Sequence, residues 1–252
     1  MSTTVDELIK RSGNAFHYQV VNFLRERSWT VLVSPYYSDY TSDKSKEIDI
    51  IAEKHFEVTK ARVNKAVGGV NVKLFIECKY ISSEIVLWFD EKDMARARQK
   101  VIGETPLREG NTYTDRHHYL EDTKVAKLFT PNAKNDDVVY KALNQVLNAM
   151  IYHHAEGLAS ILPSVSGILC TLNYPLIVCN DFGHLYRVEA GQSASSKLDQ
   201  IFQLEVNYAY LSKERTSQAG YFLIDVIDFN RFNDFLDGPL KGDVDAVTSI
   251  LN

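Results

Sequence analysis

The chain is poor in the residues that mark a secreted or membrane-spanning protein. It has 3 cysteines in 252 residues: Cys78, Cys170 and Cys179. Each sits in an apolar run, and none has C-x-x-C spacing, so neither a disulfide framework nor a zinc ribbon is expected. The thiols read as reduced cysteines of a cytoplasmic protein. No run of about 18 apolar residues occurs, so no transmembrane helix and no membrane partner are expected. The polar, acidic start from Met1 to Glu7 lacks the pattern of a signal peptide. Internal repeats and low-complexity tracts are absent. Positive charge is also short, with 28 Lys+Arg against 33 Asp+Glu and a net charge of −5. By itself that balance argues against a nucleic-acid partner.

What is present is the composition of a globular protein, 45% hydrophobic and 24% charged. A chain of this length is expected to form a single large domain with a sizeable core. Its charge is unevenly spread. Residues 1–133 hold 20 Lys+Arg against 19 Asp+Glu, whereas residues 134–252 hold 8 against 14. Between residues 60 and 79, Lys60, Arg62, Lys65, Lys73 and Lys79 face only Glu77. The first half is therefore the one suited to phosphate, and Lys60, Arg62, Lys65 and Lys73 are its candidate nucleic-acid contacts.

Periodicity predicts a mixed α/β organisation. A first helix is expected over residues 5–28, with Phe16, Val20, Phe23 and Leu24 as its buried stripe. A buried strand follows over 29–35, then a polar loop over 36–46. Gly68-Gly69 reads as a turn. Residues 91–102 are rich in helix formers. Residues 103–135 are polar and read as an insertion or substrate-facing flap. The clearest helix of the second half covers 136–154, with Val139, Leu143, Val146 and Met150 on its apolar face. Strands are expected over 174–179 and 183–188 around an Asn180-Asp181 turn, and over 206–211 and 221–227. Short helices close the chain.

Two stretches carry chemistry. Glu47-Ile48-Asp49-Ile50-Ile51 and Lys73-Leu74-Phe75-Ile76-Glu77-Cys78-Lys79 both alternate as strands. Glu47, Asp49 and Ile51 fall on one face of the first, and Lys73, Phe75, Glu77 and Lys79 on one face of the second. Paired as a hairpin, they would aim two carboxylates and an ammonium from one side of a sheet. Two carboxylates hold a hard divalent cation, and a nearby ammonium positions or activates water for phosphodiester hydrolysis.

Asp49 followed by Glu77-Cys78-Lys79 resembles the signature of the PD-(D/E)xK nuclease superfamily. Ile48 stands where a proline is usually written. Upstream, Gly13-Asn14-Ala15-Phe16-His17-Tyr18-Gln19-Val20 resembles the first helix of Mrr-like restriction endonucleases, and Trp29-Thr30-Val31-Leu32-Val33 the strand after it. The resemblance covers residues 5–80 well and the rest loosely. It implies a restriction-endonuclease-like core: a mixed central sheet flanked by helices, with further C-terminal strands and helices. The core is expected over about 5–182, with the insertion at 103–135 and the extension at 183–252.

The resemblance further implies that Asp49, Glu77 and the Cys78 backbone carbonyl hold Mg²⁺, or Mn²⁺ in its place, while Lys79 orients the attacking water. In-line attack would leave a 5′-phosphate and a 3′-hydroxyl. His17 stands where Mrr-like proteins have Glu and repair exonucleases of the superfamily have His, so it is a candidate metal ligand. Glu47 and, on the long helix, Gln145 are candidates for supporting the site. The expected activity is that of a metal-dependent DNA endonuclease in prokaryotic defence or DNA repair. An RNA- or structure-specific nuclease, or a non-catalytic subunit on the same fold, stays open. Cutting both strands calls for two sites, so a homodimer or a larger complex is among the expected partners. Neither His117-His118 nor His153-His154 is a strong metal signal, because adjacent side chains do not converge.

Overall fold

The computed structural model describes residues 13–60, 65–132, 138–156, 161 and 167–251. Helix α1 (Gly13–Glu26) leads into β1 (Thr30–Val33), the short ribbon β2 (Tyr36–Asp39) and β3 (Lys44–Glu47), and the long strands β4 (Ile50–Lys60) and β5 (Lys65–Lys79). Next come β6 (Ile85–Glu91), α2 (Met94–Glu104), β7 (Lys124–Pro131) and α3 (Val138–Ala155). The second half supplies β8 (Ile168–Cys179), β9 (Leu185–Glu189), β10 (Ser195–Lys197), β11 (Phe202–Leu211) and β12 (Ser217–Asp228). A single-turn α4 (Phe232–Phe235) and α5 (Lys241–Leu251) follow.

All these strands except β2 and β3 form one ten-stranded sheet, in the order β1-β4-β5-β8-β12-β11-β7-β6-β9-β10. β1, β4 and β5 are successive antiparallel neighbours. β8 then adds parallel to β5, which requires the chain to cross over, and α3 lies within that crossover. Alternation along β4 and β5 divides the core between two faces. Ile50, Ala52, Leu74 and Ile76 point into one cluster with Val20 and Leu24 of α1 and Val244 of α5. Ile51 and Phe75 point into the other, with Val146 and Leu147 of α3.

Several expectations are corrected by this packing. Residues 36–39 and 44–47 pair as a ribbon rather than forming a plain loop. The segment expected to be a flap is not one over residues 103–132: Leu107, Tyr119, Leu120 and Val125 are buried, and β7 lies inside the sheet between β11 and β6. Polar content misled there because the buried polar groups satisfy one another. Gly68-Gly69 lies within β5, at a register irregularity, rather than at a turn. Gly68 has φ +146°, and a Cβ there would come within 2.3 Å of the Gly167 carbonyl, so the parallel partner's approach demands glycine. β8 and β9 do not form a hairpin across Asn180-Asp181; β9 pairs with β6 and β10 instead.

Candidate active site

The register brings the predicted residues together. Ile50 lies opposite Ile76 and Ile51 opposite Phe75, so one step further places Asp49 beside Glu77. Asp49 precedes β4, held where its carbonyl accepts from the Ser34 N–H at 2.8 Å. Its own N–H donates to Glu77 Oε1 at 3.3 Å, and the Cys78 N–H donates to Asp49 Oδ2 at 2.7 Å. Lys79 Nζ donates to Glu77 Oε2 at 2.7 Å. The Cys78 side chain packs with the α1 cluster, on the opposite face, as strand alternation requires.

Burial sets the electrostatics. Glu77 is 0% exposed. Desolvation, then the Asp49 carboxylate, push its pKa up to about 8, against the opposing pull of Lys79. Burial disfavours the charge on Lys79, but Glu77 and Asp49 outweigh it and hold its pKa above the usual lysine value. Lys79 therefore stays an ammonium. A cavity of about 10 Å³, lined by Lys79, Val139, Ile177, Cys179 and Leu204, lies beside it. That is room for one water at most.

The supporting residues take different places. Gln145 Nε2 donates to the Glu47 carbonyl at 3.2 Å, so α3 anchors the chain two residues before Asp49. Glu47 belongs to β3, in the separate ribbon, opposite Tyr36, whose pKa it raises. The chain leaves strand conformation at Ile48-Asp49, so Glu47 and Asp49 are not neighbours on one pleated face. His17 is 8% exposed on α1, and its Nε2 has no hydrogen-bond partner among the described residues. The buried stripe of α1 packs on the face opposite Phe75, and no hydrogen bond links His17 to Asp49 or Glu77 among the described residues.

Of the proposed phosphate contacts, Lys73 is misassigned. It shares the face of Phe75, beneath α3, is 7% exposed, and pairs with Glu53 at 2.7 Å. Arg62 lies outside the described residues, as do the side chains of Lys60 and Lys65 at the strand ends.

A second polar cluster was not legible in the sequence. His118 Nδ1 lies 2.5 Å from Asp243 Oδ2, and its Nε2 lies 3.2 Å from Asp225 Oδ2. The two aspartates overcome burial and raise the His118 pKa to about 10. His118 is thus an imidazolium bridging two carboxylates. Tyr174 donates to Asp243, and Gln203 links Asp225 to Lys92. His117, His118 and Asp243 place ligand atoms within 4.8 Å of one another, a spacing that could hold a metal. Their hydrogen bonds oppose that use. Both His118 nitrogens face carboxylates, and His117 Nδ1 already accepts from the Tyr119 N–H. The network is complete as a buried ion cluster. At 2% and 5% exposure, His117 and His118 are closed off from solvent. Adjacent histidines gave no signal because their partners come from residues more than a hundred positions away.

No protein-family model, no curated protein and no solved structure matches the chain.

Proposed function

We propose that the chain is a metal-dependent nuclease with a restriction-endonuclease-like core. The observation that carries this reading is the hydrogen-bonded set Asp49–Glu77–Lys79 at the end of an antiparallel strand pair. The order α1, β1, β4, β5 supports it, because the residues that carry the resemblance run in that order: helix, strand, Asp49, then Glu77-Cys78-Lys79.

The donor set suits a hard cation: Asp49 and Glu77 are oxygen donors joined by one hydrogen bond, with the Cys78 carbonyl between Glu77 and Lys79 in sequence. Mg²⁺ held there would neutralise charge on the scissile phosphate and lower the pKa of bound water. The chain's own residues do the rest. Lys79 remains cationic, so it orients water and offsets developing negative charge rather than removing a proton. Gln145 and the β1–β2 corner fix Asp49 through backbone bonds. DNA is the first substrate class, RNA the second, and defence or repair the proposed setting.

The test is incubation of the protein with plasmid, linear duplex, single-stranded DNA and RNA, with Mg²⁺ or Mn²⁺ and with chelator. Cleavage that requires metal and vanishes in Asp49→Ala upholds the reading. Cleavage that persists in Asp49→Ala sinks the site assignment. One observation favours a rival, a non-catalytic nuclease-fold subunit: Glu77 is fully buried with both oxygens engaged. Metal binding without cleavage of any of the four substrates would select it.

A further inference from the structure

We propose that the cleft flanking α3 receives unpaired bases, so that the substrate is single-stranded or locally unpaired nucleic acid. This inference rests on the nuclease reading of the Asp49–Glu77–Lys79 site. The cleft, of about 580 Å³, lies between the first half of α3 and strands β7 and β11. Phe129, Tyr140 and Tyr208 supply three aromatic rings to its lining, and Leu204 closes one side. Leu204 also lines the small cavity beside Lys79, as does Val139, the neighbour of Tyr140. The cleft and the cavity beside Lys79 thus share Leu204 as a common wall.

Its surfaces suit bases more than phosphates. Lys127, at its edge, is held at 3.0 Å by Glu205, whose carboxylate lies on the other face of β11 with Asp93 and Tyr221, so Lys127 brings the cleft no unpaired charge. Across this side of the molecule Lys46, Lys73 and Lys79 are likewise in ion pairs. A duplex hides its base faces and offers phosphates, which such a surface attracts poorly. A single strand offers base faces, which stack on aromatic rings whatever the sequence. Tyr140 is 51% exposed and available for stacking. The Tyr208 ring is fixed in place, because its hydroxyl donates to Asn144 Oδ1 at 2.8 Å and lies 3.1 Å from Asn148 Oδ1. Lys141, next to Tyr140, is exposed with no ion pair among the described residues and can meet a backbone phosphate. Two further exposed tyrosines adjoin site residues: Tyr80 follows Lys79, and Tyr36 lies opposite Glu47 in the β2–β3 ribbon.

The experiment measures binding of fluorescein-labelled oligothymidylate and oligouridylate of about 16 nucleotides, and of a duplex of equal length, with Ca²⁺ replacing Mg²⁺. The wild type should hold a single strand at least tenfold more tightly than the duplex. Tyr140→Ala should weaken single-strand binding roughly tenfold, the loss of about one stacked base, while Tyr140→Phe retains it. Photo-crosslinking of a 5-iodouracil strand should map to Tyr140. Tight duplex binding, a silent Tyr140→Ala, no binding of any strand, or a change of oligomeric state in Tyr140→Ala would each overturn the inference. Cleavage in the same preparations separates the two claims. Asp49-dependent cutting of duplex, indifferent to Tyr140, removes the base cleft and leaves the nuclease. Tyr140-dependent strand binding without Asp49-dependent cutting keeps the cleft and removes the nuclease.

Discussion

Metal affinity at the candidate site should depend on pH, and the size of the effect follows from Glu77. A metal takes the carboxylate, so any proton on Glu77 must leave first. With a pKa of about 8, about one tenth of the metal-free protein has Glu77 ionised at pH 7, and about one hundredth at pH 6. The apparent Kd for Mn²⁺ should therefore weaken about tenfold for each pH unit below 8, and level off above it. Binding at pH 7 should release most of one proton per metal. Isothermal titration calorimetry in two buffers of different ionisation enthalpy reads both quantities without requiring turnover. Lys79→Ala removes a charge that lowers the Glu77 pKa, so the break in the profile should move to higher pH. Glu77→Gln should abolish binding. A Kd that is constant between pH 6 and 8 would refute the assignment of Glu77 as a ligand that must deprotonate.

Further predictions concern stability and the basic residues. Asp225→Asn should cost about 3–5 kcal/mol, because it leaves His118 and Lys92 with less opposing charge in the core; thermal unfolding should show a Tm roughly 10 °C lower. The His118 pKa is raised above its unfolded value, so its stabilisation is complete below about pH 6.5 and is lost as pH rises through about 10. Denaturant midpoints measured at pH 6 and pH 10 should show that loss in the wild type and much less of it in Asp225→Asn. His17→Leu should hold or raise the metal-free Tm, since it removes a buried nitrogen that has no partner among the described residues; a fall of several degrees would show that the ring is needed by the fold. Replacing Lys60, Arg62 and Lys65 together should flatten the salt dependence of duplex binding by about two to three log units per log unit, whereas Lys73→Met should leave the slope unchanged and lower stability, because Lys73 is an interior ion-pair partner of Glu53.

The sequence by itself determined the site's nucleus. Alternation put Glu77 and Lys79 on one face of β5, and the antiparallel register of β4 on β5 brought Asp49, just before β4, to Glu77, because a period of two leaves no freedom once one face is buried. The long helix, observed over Val138–Ala155, and the strand over 174–179 were legible for the same reason, since local periodicity reports which side of an element is apolar. Partners distant in the chain were decided only by the tertiary structure. Lys73 looks like a surface cation until α3 covers its face and Glu53 meets it. His117-His118 looks like an exposed pair until Asp225 and Asp243 arrive from β12 and α5. Polar residues in a strand or turn carry no local mark of burial, because what makes burial tolerable is a counter-charge on another element: the neighbouring strand for Lys73, and residues more than a hundred positions away for His118.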